Sequence, residues 1–278
     1  MELEAVPVPR ARLGEGARWD PSTGTLLWVD IPAGVVHRLD PADDTQETVD
    51  VGQPVGVAVP REPGGLALAL RDGFAVLEEG APVVIAPVTA AEGPGNRMND
   101  GACDSAGRFF AGTKAEDDTP GAGNLYRLDP GRAWERVVGG VTISNGLGWS
   151  PDERLLYYVD TPAGQVDVFD YDPATGDLAN RRGVAELPQP DGLTVDAEGH
   201  VWVALWGGGA VVRLRPDGGH ALTVRVPATN VTSCAFGGPD LDVLYVTTAW
   251  DGEDGGELWR CRTPYTGLPA HPYRDLTP

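Results

Sequence analysis

One unit recurs six times along this chain, and that recurrence constrains the fold more than any single motif. Each copy opens with a small polar residue at a glycine, turns into an apolar strand, and ends in a further strand near Asp or Arg. The copies read "LGEGARWDPSTGTLLWVDIPAGVVHRLDP", "QPVGVAVPREPGGLALALRDGFAVLEEG", "RMNDGACDSAGRFFAGT", "SNGLGWSPDERLLYYVDTPAGQVDVFDYDP", "PDGLTVDAEGHVWVALWGGGAVVRLRPDG" and "TSCAFGGPDLDVLYVTTAWDGEDGGELWRC"; the third is followed by an inserted "KAEDDTPGAG" and then "NLYRLDP". Their second strands, "LLWVD", "LALAL", "RFFAG", "LLYYVD", "VWVAL" and "LYVTT", are rich in β-branched and aromatic residues and bounded by Gly, Asp or Pro. A repeat of about 40–47 residues is the size of a four-stranded propeller blade. The expected fold is all-β: a six-bladed β-propeller of four-stranded antiparallel blades around a central channel, one domain over residues 1–278. The opening "ELEAVPVPR" is expected to add an outer strand to the last blade and close the ring. A β-sandwich also has many short strands, but it has no reason for a sixfold register.

Composition narrows the partners. The net charge of −20 excludes a phosphate-binding basic face, so nucleic acid is not an expected partner. No apolar run approaches the ~20 residues of a membrane span. "MELEAVPVPR" lacks the basic and apolar regions of a signal peptide, which points to the cytoplasm. The three cysteines, Cys103, Cys234 and Cys261, fit no zinc or disulfide spacing and read as small buried hydrophobes. Four scattered histidines give no Ser/His/Asp arrangement. Oligomeric state leaves no readable signal.

The residue before each template glycine carries the chemistry. Aligned on that glycine, the copies give Glu15, Val55, Asp100, Asn145, Asp191 and, less cleanly, Ser233, with Asn99 one step before Asp100. In a propeller these positions face one another around the axis. Carboxylates crowded into a dry mouth repel unless a cation neutralises them. An all-oxygen set favours a hard divalent ion, Ca²⁺ first and Mg²⁺ or Mn²⁺ next, over a structural zinc. Two carboxylates balance the ion's charge, and a neutral Asn fills a further place without adding repulsion. Asn-Gly and Asp-Gly are also ordinary turn dipeptides, and only their coincidence at one register separates the readings.

"GEGARWD…LLWVDIPAGVVHRLD", "RMNDGACDSAGRFFAGT", "SNGLGWSPD…YYVDT", "PDGLTVDAEGHVWVA" and "TSCAFGG" together resemble the regucalcin, or senescence-marker-protein, group of gluconolactonases. The resemblance runs from about Arg12 to Gly267. It implies a propeller with one axial divalent ion that hydrolyses sugar-acid lactones. It implies Glu15, Asn145 and Asp191 as metal ligands, with Asp191 also the catalytic base. Substrate contacts fall on Arg97 and Asn99, whose counterpart approaches the metal in some relatives, and an acidic lid residue falls on Glu116 or Asp117. Zn²⁺ and Fe²⁺ join the ions to be tested. Lys114 departs from the Met that similar family members carry. It is expected to face the mouth and to favour a negatively charged substrate or product. Three rival functions stand beside the lactonase: organophosphorus-ester hydrolysis on a similar calcium site, calcium binding without a main catalytic task, and a propeller used as a protein-binding platform.

Overall fold

The six repeats fold into six sheets, each built outward from the strand that opens a copy. The computed structural model describes residues 1–93 and 95–277. In the first blade Gly14–Asp20, Thr25–Asp30, Val35–Asp40 and Thr45–Asp50 lie in chain order. The innermost strands of the other blades are Val55–Glu62, Asn96–Cys103, Ser144–Trp149, Pro190–Val195 and Asn230–Gly237. These sheets make the expected six-bladed propeller.

The strand composition follows from the packing. Second strands lie between neighbouring blades and are covered on both faces, so Leu66–Leu70 and Val201–Leu205 are buried throughout. Outermost strands meet water, and Thr45–Asp50 is correspondingly polar and mostly exposed. The core therefore sits between blades. Phe74 and Phe109 meet edge-on at 5.1 Å across the second and third blades, and Trp202 and Phe236 do the same at 5.3 Å across the fifth and sixth. Burying a side chain of this kind contributes roughly 1.5–3 kcal/mol. All three cysteines are buried free thiols.

The ring closes as the sequence suggests. Glu4–Ala5 pairs antiparallel with Trp259–Arg262, so the N-terminal segment is the outermost strand of the last blade. One departure lies at the other terminus. Tyr273–Arg274 adds a fifth strand to the second blade, parallel to Val55–Glu62. Asp275 then accepts hydrogen bonds from Arg61 and Arg132, and so pins the tail across the second and third blades. Among the described residues, no helix is long and apolar enough to cross a membrane.

Candidate metal centre

Every innermost strand carries a β-bulge near its start. The ladders slip between Glu15 and Arg18, Val55 and Val57, Met98 and Gly101, Ser144 and Leu147, Pro190 and Leu193, and Val231 and Ser233. A bulge leaves one residue unpaired and re-aims its side chain. One residue on from the pairs Gly14↔Asp30, Val55↔Leu70, Met98↔Thr113, Ser144↔Asp160, Pro190↔Leu205 and Val231↔Thr248, the equivalent residues are Glu15, Gly56, Asn99, Asn145, Asp191 and Thr232. Alignment on the glycine therefore misplaces three blades by one residue. Gly56 replaces Val55, Asn99 replaces Asp100, and Thr232 replaces Ser233. The cause is physical: the glycine serves close approach between blades and does not mark a fixed ladder position. A Cβ on Gly56 would lie 1.7 Å from the Asn99 carbonyl oxygen, and one on Gly146 would lie 2.7 Å from that of Asp191.

Glu15, Asn99, Asn145 and Asp191 are each at most 5 % exposed, as is Asp100 beside them. Their hydrogen bonding is incomplete. The Asn145 amide Nδ2 donates to Thr161 Oγ1 at 3.0 Å, and its Oδ1 has no partner. Asp191 Oδ1 is likewise buried without a partner. Buried polar atoms are almost always satisfied, so two orphaned oxygens at one mouth call for an explanation. Asn99 is engaged differently: its Oδ1 accepts from Arg97 at 2.8 Å, and its Nδ2 donates to the Ser144 carbonyl at 2.9 Å. Thr232 turns its hydroxyl to the Gly14 carbonyl and to Thr247.

The electrostatics agree. Burial first, then the charges of Asp191 and Asp100, push the Glu15 carboxyl well above its ordinary range. Burial and then Asp100 do the same to Asp191, with the Asn145 amide and the Lys114 ammonium pulling it back. Asp100 is raised by burial, against the pull of Arg18. Three carboxyl groups thus strain against ionisation in one place. The donor set is oxygen only, nearby cations offset its burial only in part, and two of its oxygens lack partners. That combination fits a hard divalent cation.

Around this cage lie the predicted substrate contacts. Arg97 and Lys114 are direct cross-strand partners. Burial pulls the Arg97 guanidinium down, and Glu116 opposes it from 3.6 Å. Glu116 also stands 3.5 Å from Arg71, which the sequence did not single out. Asp117, the alternative lid acid, is exposed and bonds the Thr119 amide and hydroxyl instead. Lys114 pairs with Asp118. At the opposite end of the channel a cavity of about 280 Å³ is lined by Arg18, Trp149, Val195, Phe236 and His271, away from the cage.

A second cluster is a different kind of object. Asp196, Glu198 and His200 bring three ligand-type atoms within 4.8 Å of one another, a grouping the sequence reading passed over. Asp196 follows the far end of Pro190–Val195. Its Oδ2 accepts from Trp202 Nε1 at 2.9 Å and Arg213 Nε at 2.8 Å, and its Oδ1 accepts the amides of Glu198 and His200. Arg213 also bonds Glu198. The Arg213 guanidinium thus neutralises Asp196 and Glu198, while His200 Nδ1 is buried without a partner.

Residues 13–250 match the SMP-30/Gluconolactonase/LRE-like region. The chain belongs to that family. Regucalcin of Xenopus laevis is 40% identical, the match covering 96% of this chain and 92% of that one. Among solved structures, a luciferin-regenerating enzyme is 31% identical with a TM-score of 0.91, covering 98% of each chain. A calcium-binding protein, regucalcin, from Agrobacterium tumefaciens is 28% identical with a TM-score of 0.92, covering 97% of this chain and 96% of its own. The SMP-30/gluconolactonase family includes lactone hydrolases, which supports a hydrolase here.

Proposed function

We propose that this protein is a metal-dependent lactonase that opens sugar-acid lactones, such as glucono-lactone, to the free aldonic acids. The observation that carries the reading is the pair of orphaned buried oxygens, Asn145 Oδ1 and Asp191 Oδ1, in a cage shared with Glu15 and flanked by Arg97. Glu15, Asn145 and Asp191 would hold one divalent ion, Ca²⁺ before Mg²⁺, Mn²⁺, Zn²⁺ or Fe²⁺. When bound, such an ion supplies Lewis-acid polarisation of an ester carbonyl.

The rest of the chemistry falls to side chains. Asp191 is the base: holding the ion through one carboxylate oxygen would leave its other oxygen free to take a proton from the attacking water. Arg97 and Asn99, locked together at 2.8 Å, fix the sugar hydroxyls by directed hydrogen bonds. Glu116 steadies Arg97 from the lid. Lactones are activated esters, so a modest barrier reduction suffices, each ~1.4 kcal/mol being about tenfold in rate.

Asn99 favours this reading over the organophosphorus hydrolase. A Glu/Asn/Asn/Asp site needs a second Asn oxygen for the ion, whereas Asn99 turns its Oδ1 to Arg97. The test is a pH-stat screen of aldonolactones and a phosphotriester on chelated protein, with each ion restored in turn. Ion-dependent lactone opening supports the proposal. Phosphotriester turnover alone, or tight calcium binding with no turnover, would replace it with one of the rivals.

A further inference from the structure

Lys114 is the single lysine of a chain whose net charge is −20, and the propeller brings it to the rim of the cage. One ladder position lies just beyond Asp30, Leu70, Thr113, Asp160, Leu205 and Thr248, the partners of Gly14, Val55, Met98, Ser144, Pro190 and Val231. It is held by Ile31, Arg71, Lys114, Thr161, Trp206 and Ala249 in the successive blades. Thr161 shows where that position points, because its hydroxyl bonds Asn145 of the cage. Adjacent blades therefore present Arg71 and Lys114 at the same rim, with Arg97 directly across the ladder from Lys114.

The partners of these cations differ from them in anchorage. The Arg97 and Lys114 side chains are 9% and 13% exposed and stand on strands. Glu116 and Asp118 are 48% and 55% exposed and belong to the connection after Phe109–Ala115, where Asp118 has a left-handed φ of 56°. At 3.6 Å the approach of Glu116 to Arg97 Nε is longer than a hydrogen bond. Ion pairs with such exposed carboxylates contribute about 0–1 kcal/mol, so exchanging them for another anion costs little. On an acidic surface, two recessed cations, Arg97 and Lys114, with the half-exposed Arg71 on the neighbouring blade, are where a small anion is drawn.

We propose that Arg71, Arg97 and Lys114 form an anion subsite of the lactone pocket, which Glu116 and Asp118 fill until a substrate with its own carboxylate displaces them. The preferred substrates are then lactones of sugar diacids or uronic acids rather than neutral aldonolactones. The inference rests on the lactonase reading and deepens it. Lys114 sets specificity and takes no part in bond cleavage.

The experiment compares kcat/KM of the ion-loaded enzyme for a glucaric acid lactone, glucono-lactone and 6-phosphogluconolactone. The variants are Lys114→Met and Asp118→Asn, and binding of glucarate is measured in parallel by calorimetry. Wild type favours the carboxylated lactone. Lys114→Met lowers the acidic-to-neutral ratio about tenfold, mainly through KM, and weakens glucarate to match. Asp118→Asn, which removes the resident anion, moves both quantities the other way. Ratios and glucarate affinity unchanged in both variants overturn the subsite and leave the lactonase reading intact. A response confined to the phosphorylated lactone overturns the carboxylate assignment in favour of phosphate. If no lactone turns over, the lactonase reading fails, and glucarate binding still decides whether the anion subsite exists.

Discussion

Asp191 and Asp275 are buried to the same degree, 4% and 5% exposed, and their acidities move in opposite directions. Burial raises the Asp275 carboxyl, but hydrogen bonds from Arg132 and Thr277 outweigh it and hold the group at about 2. Burial also raises Asp191, and there the next carboxylate, Asp100, adds to it. The difference is the supply of positive charge. At the C-terminal clamp two arginines arrive with the chain, at 2.8 Å each. At the channel mouth the chain gathers Glu15, Asp100 and Asp191 and leaves two oxygens open. Asp196 belongs with Asp275, because Arg213 completes it. The proposed metal site thus differs from the clamp in having its burial only partly answered by positive charge.

The comparison breaks most readily at Asp191. Replacement by Ala is expected to lower lactone turnover on the order of 10³-fold and to abolish tight ion binding, measured by pH-stat and calorimetry. Near-normal turnover would remove Asp191 from the chemistry. Asp275→Asn should act on the other side of the contrast. It strands Arg61 and Arg132 and costs about 3 kcal/mol in denaturant unfolding, while turnover per folded molecule is kept.

Acid titration sharpens the same point. The folded pKa of Asp275, about 2, lies below its ordinary 3.8. Between these values the unfolded chain binds more protons, so the stabilisation is present above pH ~4 and fades as pH falls towards ~2. Its size is about 2 kcal/mol. It should vanish from the acid limb of Asp275→Asn, and an unchanged limb would disprove the clamp. The smallest effect belongs to the Arg213 corner. His200→Ala should change ion affinity by less than about twofold, since Arg213 already neutralises the two carboxylates beside it. A large loss would move the metal centre there.

Much of the fold is written in the repeat. Two-sided burial forces the second strands to be continuously apolar, which makes six of them visible, and the closing role of the N-terminal segment follows from counting strands. The chemistry is less legible. A bulge inserts a residue without a sequence mark, so Asn99 and Asp100 cannot be ranked until the ladder Met98↔Thr113, Gly101↔Ala111 is known. Tyr273–Arg274 is too short to show a period and exists only because Val55–Glu62 receives it. Glu116 and Asp117 are neighbouring acids in sequence, and the turn of the connection brings Glu116 to Arg97 and Asp117 to Thr119. The proposed axial trio of Glu15, Asn145 and Asp191 stands out in the sequence because three copies keep a polar residue before the glycine.

The most direct measurement is an anomalous difference map from crystals of the chelated protein soaked in Ca²⁺ or Mn²⁺. The account predicts one strong site at the channel mouth, with oxygens of Glu15, Asn145 and Asp191 within about 2.0–2.6 Å of the ion. An empty mouth, or an ion seated instead against Asp196, Glu198 and His200, would contradict it.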